Sequence, residues 1–204
     1  MTDYFILLDE PRRPWLDADA LREKFLARSA TVHPDRVHQL GESEKTVAHE
    51  KYIALNAAYV CLREPKDRLR HFLELELGKR PGEIQQIPND LMEMFLKVGQ
   101  VCREAEPVLA DSARNASPLL KVKWFERSQN CADKLRDVLQ SVIARREQLM
   151  TRLKELDTKW TASGATDSEQ RVELILELEE MYRLFSYFDR WIAQLQDRIA
   201  RLSF

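Results

Sequence analysis

Glycine is scarce in this chain, with 5 among 204 residues, and no stretch has the glycine-rich form that cradles a phosphate. Nucleotide hydrolysis by such a loop is excluded. Cysteine is rarer still. Cys61, Cys102 and Cys131 are odd in number and far apart, which argues against a disulfide framework or a zinc ribbon and for reduced, mostly buried thiols. His49-Glu50 begins like a zinc-protease helix, but Ile53 stands where the second histidine is required, so no metal is expected. Charge of one sign is also lacking. With 32 basic against 34 acidic side chains the net charge is -2, and neither nucleic acid nor an anionic membrane is a natural partner. No apolar run approaches the roughly 20 residues of a membrane span. The first residues show neither a secretory core nor an arginine-rich presequence, so a soluble, cytoplasmic protein is expected. No nucleophile with base and orienter is in view, and the chain reads as a non-enzyme without a cofactor.

What is present is helical periodicity interrupted at informative places. Asp17 can cap a helix starting near Ala18, with a hydrophobic staple from Leu16 to Leu21. Leu21, Phe25 and Val32 then share a stripe, while Arg22 and Lys24 face elsewhere. Pro34 ends this helix at His33, because the residue before a proline is pushed out of the α region. His33-Pro34-Asp35 is therefore expected in a solvated loop. A second arm runs from Ser43 to Arg63, carrying Val47, Tyr52, Leu55, Ala58, Tyr59 and Leu62 on the helical period. A short element over Asp3–Leu8 precedes the pair, and a further short helix with proline in its first turn follows from Pro65 to Leu75.

Gly78-Lys79-Arg80-Pro81-Gly82 marks a linker, placed at 79–87, and divides the chain into domains at 1–78 and 88–204. A helix is expected from Leu91 to about Glu106, with Pro107 opening a polar connection. Cys131, Leu135, Val138, Val142, Leu149, Leu153, Leu156 and Trp160 then step mostly by threes and fours, with Arg146 near a skipped position. Beyond Ser163-Gly164-Ala165, where Thr166 and Glu169 suit a capping box, Leu178, Met181, Phe185, Phe188, Ile192, Leu195, Ile199 and Leu202 continue the pattern. The two stripes predict a long antiparallel helical hairpin. The fold class is all-α, with an N-terminal helical hairpin domain and a C-terminal three-helix bundle.

The order of the first four helices, with His33-Pro34-Asp35 between the two arms, resembles a J domain. Tyr4-Phe5, Asn56-Ala57-Ala58-Tyr59, Pro65 with Arg68 before Phe72-Leu73, and Pro88-Asn89-Asp90-Leu91-Met92-Glu93 together are similar to the HscB family. Tyr187-Phe188-Asp189-Arg190 resembles the aromatic-rich last helix of that family. The resemblance implies a co-chaperone that stimulates a DnaK/HscA-type ATPase and delivers an IscU-type scaffold during iron–sulfur cluster assembly. It implies that Asp35 pairs with an arginine of the chaperone, that His33 meets the same junction, and that Pro34 holds the loop. Arg22, Lys24, Arg28 and Arg36 would supply the basic steering surface, and Leu91, Met92, Phe95 and Tyr187 the scaffold contacts. The chain departs from the family in carrying Leu26-Ala27 where a basic pair is common, Arg28 at a usual core leucine, and Leu96 and Gly99 at often acidic positions. A J protein serving another client through its hairpin, and a helical adaptor that stimulates nothing, are the alternatives.

Overall fold

The structure is a computed structural model that describes residues 2–37, 41–82, 91–112, 118–163 and 168–203. Its elements are α1 (Tyr4–Leu8), α2 (Ala18–Val32), α3 (Pro34–Val37), α4 (Glu42–Arg63), α5 (Pro65–Leu77), α6 (Met92–Ser112), α7 (Pro118–Ala162) and α8 (Ser168–Leu202). Two compact units emerge, one of Met1–Gly82 with Thr151–Tyr182, the other of Glu83–Met150 with Arg183–Phe204. The first cut falls after Gly82. The hairpin helices α7 and α8 contribute residues to both units, which a reading of local composition does not foresee. The expected capping box at Thr166 lies outside the described residues. Among the described residues, no helix is long and apolar enough to cross a membrane.

In the first unit, local hydrogen bonding sets the helix starts. Asp3 accepts from the N–H groups of Phe5 and Ile6 at 2.9 and 3.3 Å and opens α1. Asp17 does the same for α2 at the expected residue, accepting from Asp19 and Ala20 at 3.1 and 2.9 Å. α4 begins one residue earlier than its expected start, where the Glu44 carboxylate accepts the Gly41 N–H at 3.2 Å. Gly78 closes α5 in the left-handed conformation at φ +68°, which a side chain would strain, and its N–H bonds the Glu74 carbonyl at 3.0 Å.

Phe5, Leu8, Leu21, Leu55, Leu62 and Phe72 make the core of this unit. Phe25 stacks on Tyr59 with centroids 4.3 Å apart, so α2 and α4 run antiparallel as expected. Val47 departs from its expected place in the stripe and is exposed. The end of α2 at His33 already meets Tyr52, and Val47 lies more than a turn beyond that contact, where α2 offers nothing to pack against.

The far portions of α7 and α8 complete the unit. Trp160 meets Phe72 edge to face at 5.0 Å, and the Asp157 carboxylate, nearly inaccessible, accepts from Arg13 Nε at 3.2 Å, from Arg13 Nη2 and from the Trp15 N–H at 3.3 Å. Arg68 is buried as well. Its Nε donates to the Pro14 carbonyl at 2.9 Å and its Nη1 to the Leu62 carbonyl at 2.6 Å. Burial lowers its pKa to about 10, so the guanidinium stays charged at neutral pH.

His71 sits under α1, where its Nε2 accepts the Tyr4 N–H at 3.1 Å and its ring stacks on Tyr4 at 4.5 Å. Burial holds its pKa below the ordinary value. A depressed folded pKa means that the unfolded chain binds the proton first on acidification. The contribution of neutral His71 is therefore complete above about pH 6.5 and lost as pH falls through the lower folded value. The melting temperature is expected to drop between pH 7 and pH 5, and His71→Gln, which keeps an acceptor for Tyr4, to flatten that drop. Parallel pH curves for the two proteins would exclude His71 as the cause.

The second unit is built from α6 with the near portion of α7 and the end of α8. Trp124 Nε1 donates to the Val108 carbonyl at 2.8 Å, Lys134 pairs with Glu104 at 3.0 Å, and Arg198 pairs with Glu106 at 2.8 Å. These contacts tie α6 to both hairpin helices. α6 does not end at Glu106 as expected but continues through Pro107 to Ser112. A proline within a helix costs about 3 kcal/mol. Val108 and Leu109 are buried in the next turn and Trp124 grips that turn's carbonyl, so tertiary packing outweighs the loss.

All eight expected seam positions of α7 are buried, from Cys131 to Trp160. On α8, Leu178, Met181, Phe185, Phe188, Leu195 and Leu202 are buried, Ile192 and Ile199 are half-buried, and Leu184 and Trp191 widen the stripe. Arg146, near the skipped position, pairs with Asp189 at 2.9 Å and lies over the Phe185 ring at 5.4 Å. The three cysteines are buried. Burial pushes the Cys61 thiol up to about 11 and raises Cys102 and Cys131, which makes all three poor nucleophiles.

Candidate functional site

His33 stands where α2 ends and α3 begins. Its backbone is extended at φ −64° and ψ 136°, as the following proline demands. The tripeptide is not an open loop, because Pro34 is the first residue of the single turn α3. His33 caps that turn. Its carbonyl accepts the Arg36 N–H at 2.9 Å and its Nδ1 accepts the Asp35 N–H at 3.2 Å. With Nδ1 accepting, the proton of the neutral ring lies on Nε2. Tyr52 of α4 meets the ring edge to face at 5.5 Å and holds it in this pose. The Asp35 side chain is 90% exposed, with one carboxylate oxygen 3.6 Å from His33 Nδ1. The corner thus presents a carboxylate and an imidazole N–H to solvent from a hydrogen-bonded base.

The four cations expected to face a partner are not equivalent. Arg22 and Arg36 are exposed. Lys24 donates to the Asp9 carbonyl at 2.8 Å and pairs with Glu10 at 3.0 Å, and Arg28 pairs with Asp9 at 3.4 Å. Asp9 adopts the left-handed conformation at φ 57°, closing α1 and turning this acidic corner under α2. Half of the basic set is therefore engaged within the molecule. The Arg28–Asp9 pair is exposed on both sides and worth only about 0.2–1 kcal/mol, so it is readily released, whereas Lys24 is held by a Glu10 side chain that is only 9% exposed.

A second surface lies on α6. Met92 and Phe95, each 40% exposed, sit beside Leu96 at 58%. Leu91, expected among the scaffold contacts, is only 2% exposed. Leu91 stands seven residues before Val98 and eleven before Cys102, both buried, so it continues the core stripe of the helix, while Met92, Phe95 and Leu96 lie at or beyond the edge of that stripe. Gly99 is half-buried, with Arg103 Nη1 3.5 Å from where its Cβ would stand. Tyr187 on α8 is half-buried and stacks on Trp191 at 5.8 Å.

No family model matches the chain. A co-chaperone protein HscB homolog from Bordetella avium is 39% identical over 72 residues, which are 35% of this chain and 43% of that one. Homologs of the same name from Paraburkholderia phytofirmans and Paraburkholderia xenovorans are 38% identical over 72 residues and are covered to 41%. The chain thus spans about two fifths of the length of the curated relatives it matches. In fold, chaperone HscB from Vibrio cholerae is similar over 96% of both chains with a TM-score of 0.60 at 18% identity. Human co-chaperone protein HscB is similar over 98% of this chain and 81% of its own, with a TM-score of 0.58 at 17% identity. The chain is HscB-like. In this HscB-like chain, the fold likeness extends well beyond the 72 residues of sequence likeness. Sequence reasoning missed the Asp9–Glu10 corner, whose signal was two acidic residues ahead of a cationic helix, and the exposed Leu96, which was noted only for lacking charge.

Proposed function

We propose that this protein is a J-domain co-chaperone that stimulates a DnaK/HscA-type ATPase and delivers an IscU-type scaffold for iron–sulfur cluster assembly. The observation that carries the reading is the corner at His33, where a capped turn fixes the backbone while the Asp35 carboxylate stands out in solvent. A chaperone arginine would meet Asp35 in a charge-assisted hydrogen bond, His33 would donate from Nε2, and Pro34 would hold the turn. Arg22 and Arg36 would steer the encounter, with Lys24 and Arg28 joining once released from Asp9 and Glu10. The division into a chaperone-facing part, 1–78, and a scaffold-facing part, 88–204, joined by 79–87, is the functional one. The protein would act in the cytoplasm and perform no catalysis of its own.

Met92 and Phe95 would contact the scaffold, with Tyr187 alongside and Leu91 supporting them from the core. The exposed Leu96 favours a scaffold face more apolar than an acidic position would select. Titration calorimetry of an apo iron–sulfur scaffold into the protein tests this part. Wild type is expected to bind, and the Met92→Ala, Phe95→Ala double variant to bind at least about tenfold more weakly, as expected from truncating two apolar anchors. A folded scaffold that wild type does not bind would leave a J protein for another client.

A further inference from the structure

The first unit carries a groove of about 420 Å³ that neither the chaperone corner nor the α6 patch uses. Leu77 of α5, Trp160 of α7 and Val172, Ile175 and Leu176 of α8 line it. Val172 and Leu176 are 62% and 61% exposed, far more than an apolar pair one helical turn apart would be if it belonged to the core. Two aliphatic side chains standing a turn apart along a groove present the spacing to which the anchors of an amphipathic helix are matched. The charges that line the groove are balanced, and the exposed charges of α8 beside it are acidic. Glu76 and Glu179 line the groove, and Glu169, Glu173 and Glu180 lie exposed on the same turns of α8. Of the two lining cations, Lys79 stands at the end of α5 and Arg171 is folded over the Trp160 ring at 4.5 Å. Arg171 thereby becomes part of the wall. An apolar floor inside an acidic rim favours a ligand with apolar anchors and flanking positive charge.

We propose that this groove is a docking site for a basic amphipathic helix of a partner protein, seated on Val172 and Leu176 and framed by the glutamates of α8. The test is fluorescence anisotropy of the full chain with a labelled leucine/lysine amphipathic helical peptide, against its leucine/glutamate counterpart. The lysine peptide is expected to bind and the glutamate peptide to bind far more weakly. Val172→Ser with Leu176→Ser, both at exposed positions that leave the core intact, is expected to weaken binding at least about tenfold. The double variant Glu169→Gln, Glu173→Gln is expected to reduce the salt dependence. Val122→Ser with Phe125→Ser, an exposed apolar pair on the second unit, serves as the control and is expected to change nothing. Failure of the lysine peptide to bind, equal binding of the two peptides, or equal binding by the serine pair would overturn the proposal. So would a wild-type dimer in sedimentation velocity that the serine pair abolishes, since the occupant would then be a second copy of this chain.

Discussion

Replacing Asp35 by Asn is expected to abolish most of the stimulation of a DnaK/HscA-type ATPase while leaving the melting temperature unchanged. The asparagine is isosteric, and the residue 35 N–H stays capped by His33 Nδ1. The side chain is 90% exposed, so no packing is lost. What disappears is the anionic half of a charge-assisted hydrogen bond. Such a bond contributes about 1.5–3 kcal/mol, and a loss of about 2 kcal/mol is roughly thirtyfold in affinity. Single-turnover hydrolysis at increasing co-chaperone concentration reads this as a shift of the half-saturating concentration. His33→Gln is expected to act in the same direction with some loss of the α3 cap, seen as a weaker Tyr52 contact at the His33 corner. Equal stimulation by wild type and Asp35→Asn would remove the corner from the mechanism. A wild type that stimulates nothing would point to the adaptor reading.

Arg68→Ala is expected to be the most destabilising single substitution in the first unit, by about 3–5 kcal/mol. Its guanidinium is buried and bonds two carbonyls from different parts of the chain, that of Pro14 in the α1–α2 connection and that of Leu62 in the last turn of α4. Carbonyls at the end of a helix lack internal donors, and Pro65 cannot supply one, so Arg68 takes over that duty. Alanine leaves both acceptors without this donor and opens a void. Arg68→Met separates the two effects by keeping most of the volume while removing the donors. Urea unfolding followed at the tryptophans is expected to place methionine between alanine and wild type. An alanine variant within about 1 kcal/mol of wild type would mean that water replaces the guanidinium at both carbonyls.

Local signals in the sequence proved sufficient for local structure. Asp17 announces α2 because a cap bonds the N–H groups two and three residues further on, and the α7 stripe from Cys131 to Trp160 lies buried throughout because helical period alone sets which residues share a face. Arg68 sat on the apolar stripe between Pro65 and Phe72, a position that in retrospect signals a buried cation. Three features were illegible for different reasons. The continuation of α6 through Pro107 depends on Trp124, a partner on another helix. The burial of Leu91 depends on which face of α6 the neighbouring helices cover, since Leu91 shares the stripe of Val98, Cys102 and Ala105. Asp157 offers no signal at all, since its partner Arg13 is 144 residues away and an aspartate on a long charged helix usually faces water. In the candidate site, His33, Pro34 and Asp35 were legible as a motif, while the engagement of Lys24 and Arg28 by Asp9 and Glu10 required the turn at Asp9 to be seen.

The pairing of Arg13 with Asp157 also bears on how the protein is made. A ribosome releases this chain from its N-terminus, at about 5–20 residues per second. The first helices can form early, yet Asp157, Trp160 and the start of α8 belong to the same compact unit and emerge last but for the final turns. Until residue 160 is out, Phe72 lacks its Trp160 neighbour and Arg13 lacks its carboxylate. The unit that emerges first is thus finished only after most of the other has been synthesised, and translation arrest upstream of residue 150 would leave the nascent chain with its apolar Phe72 face uncovered.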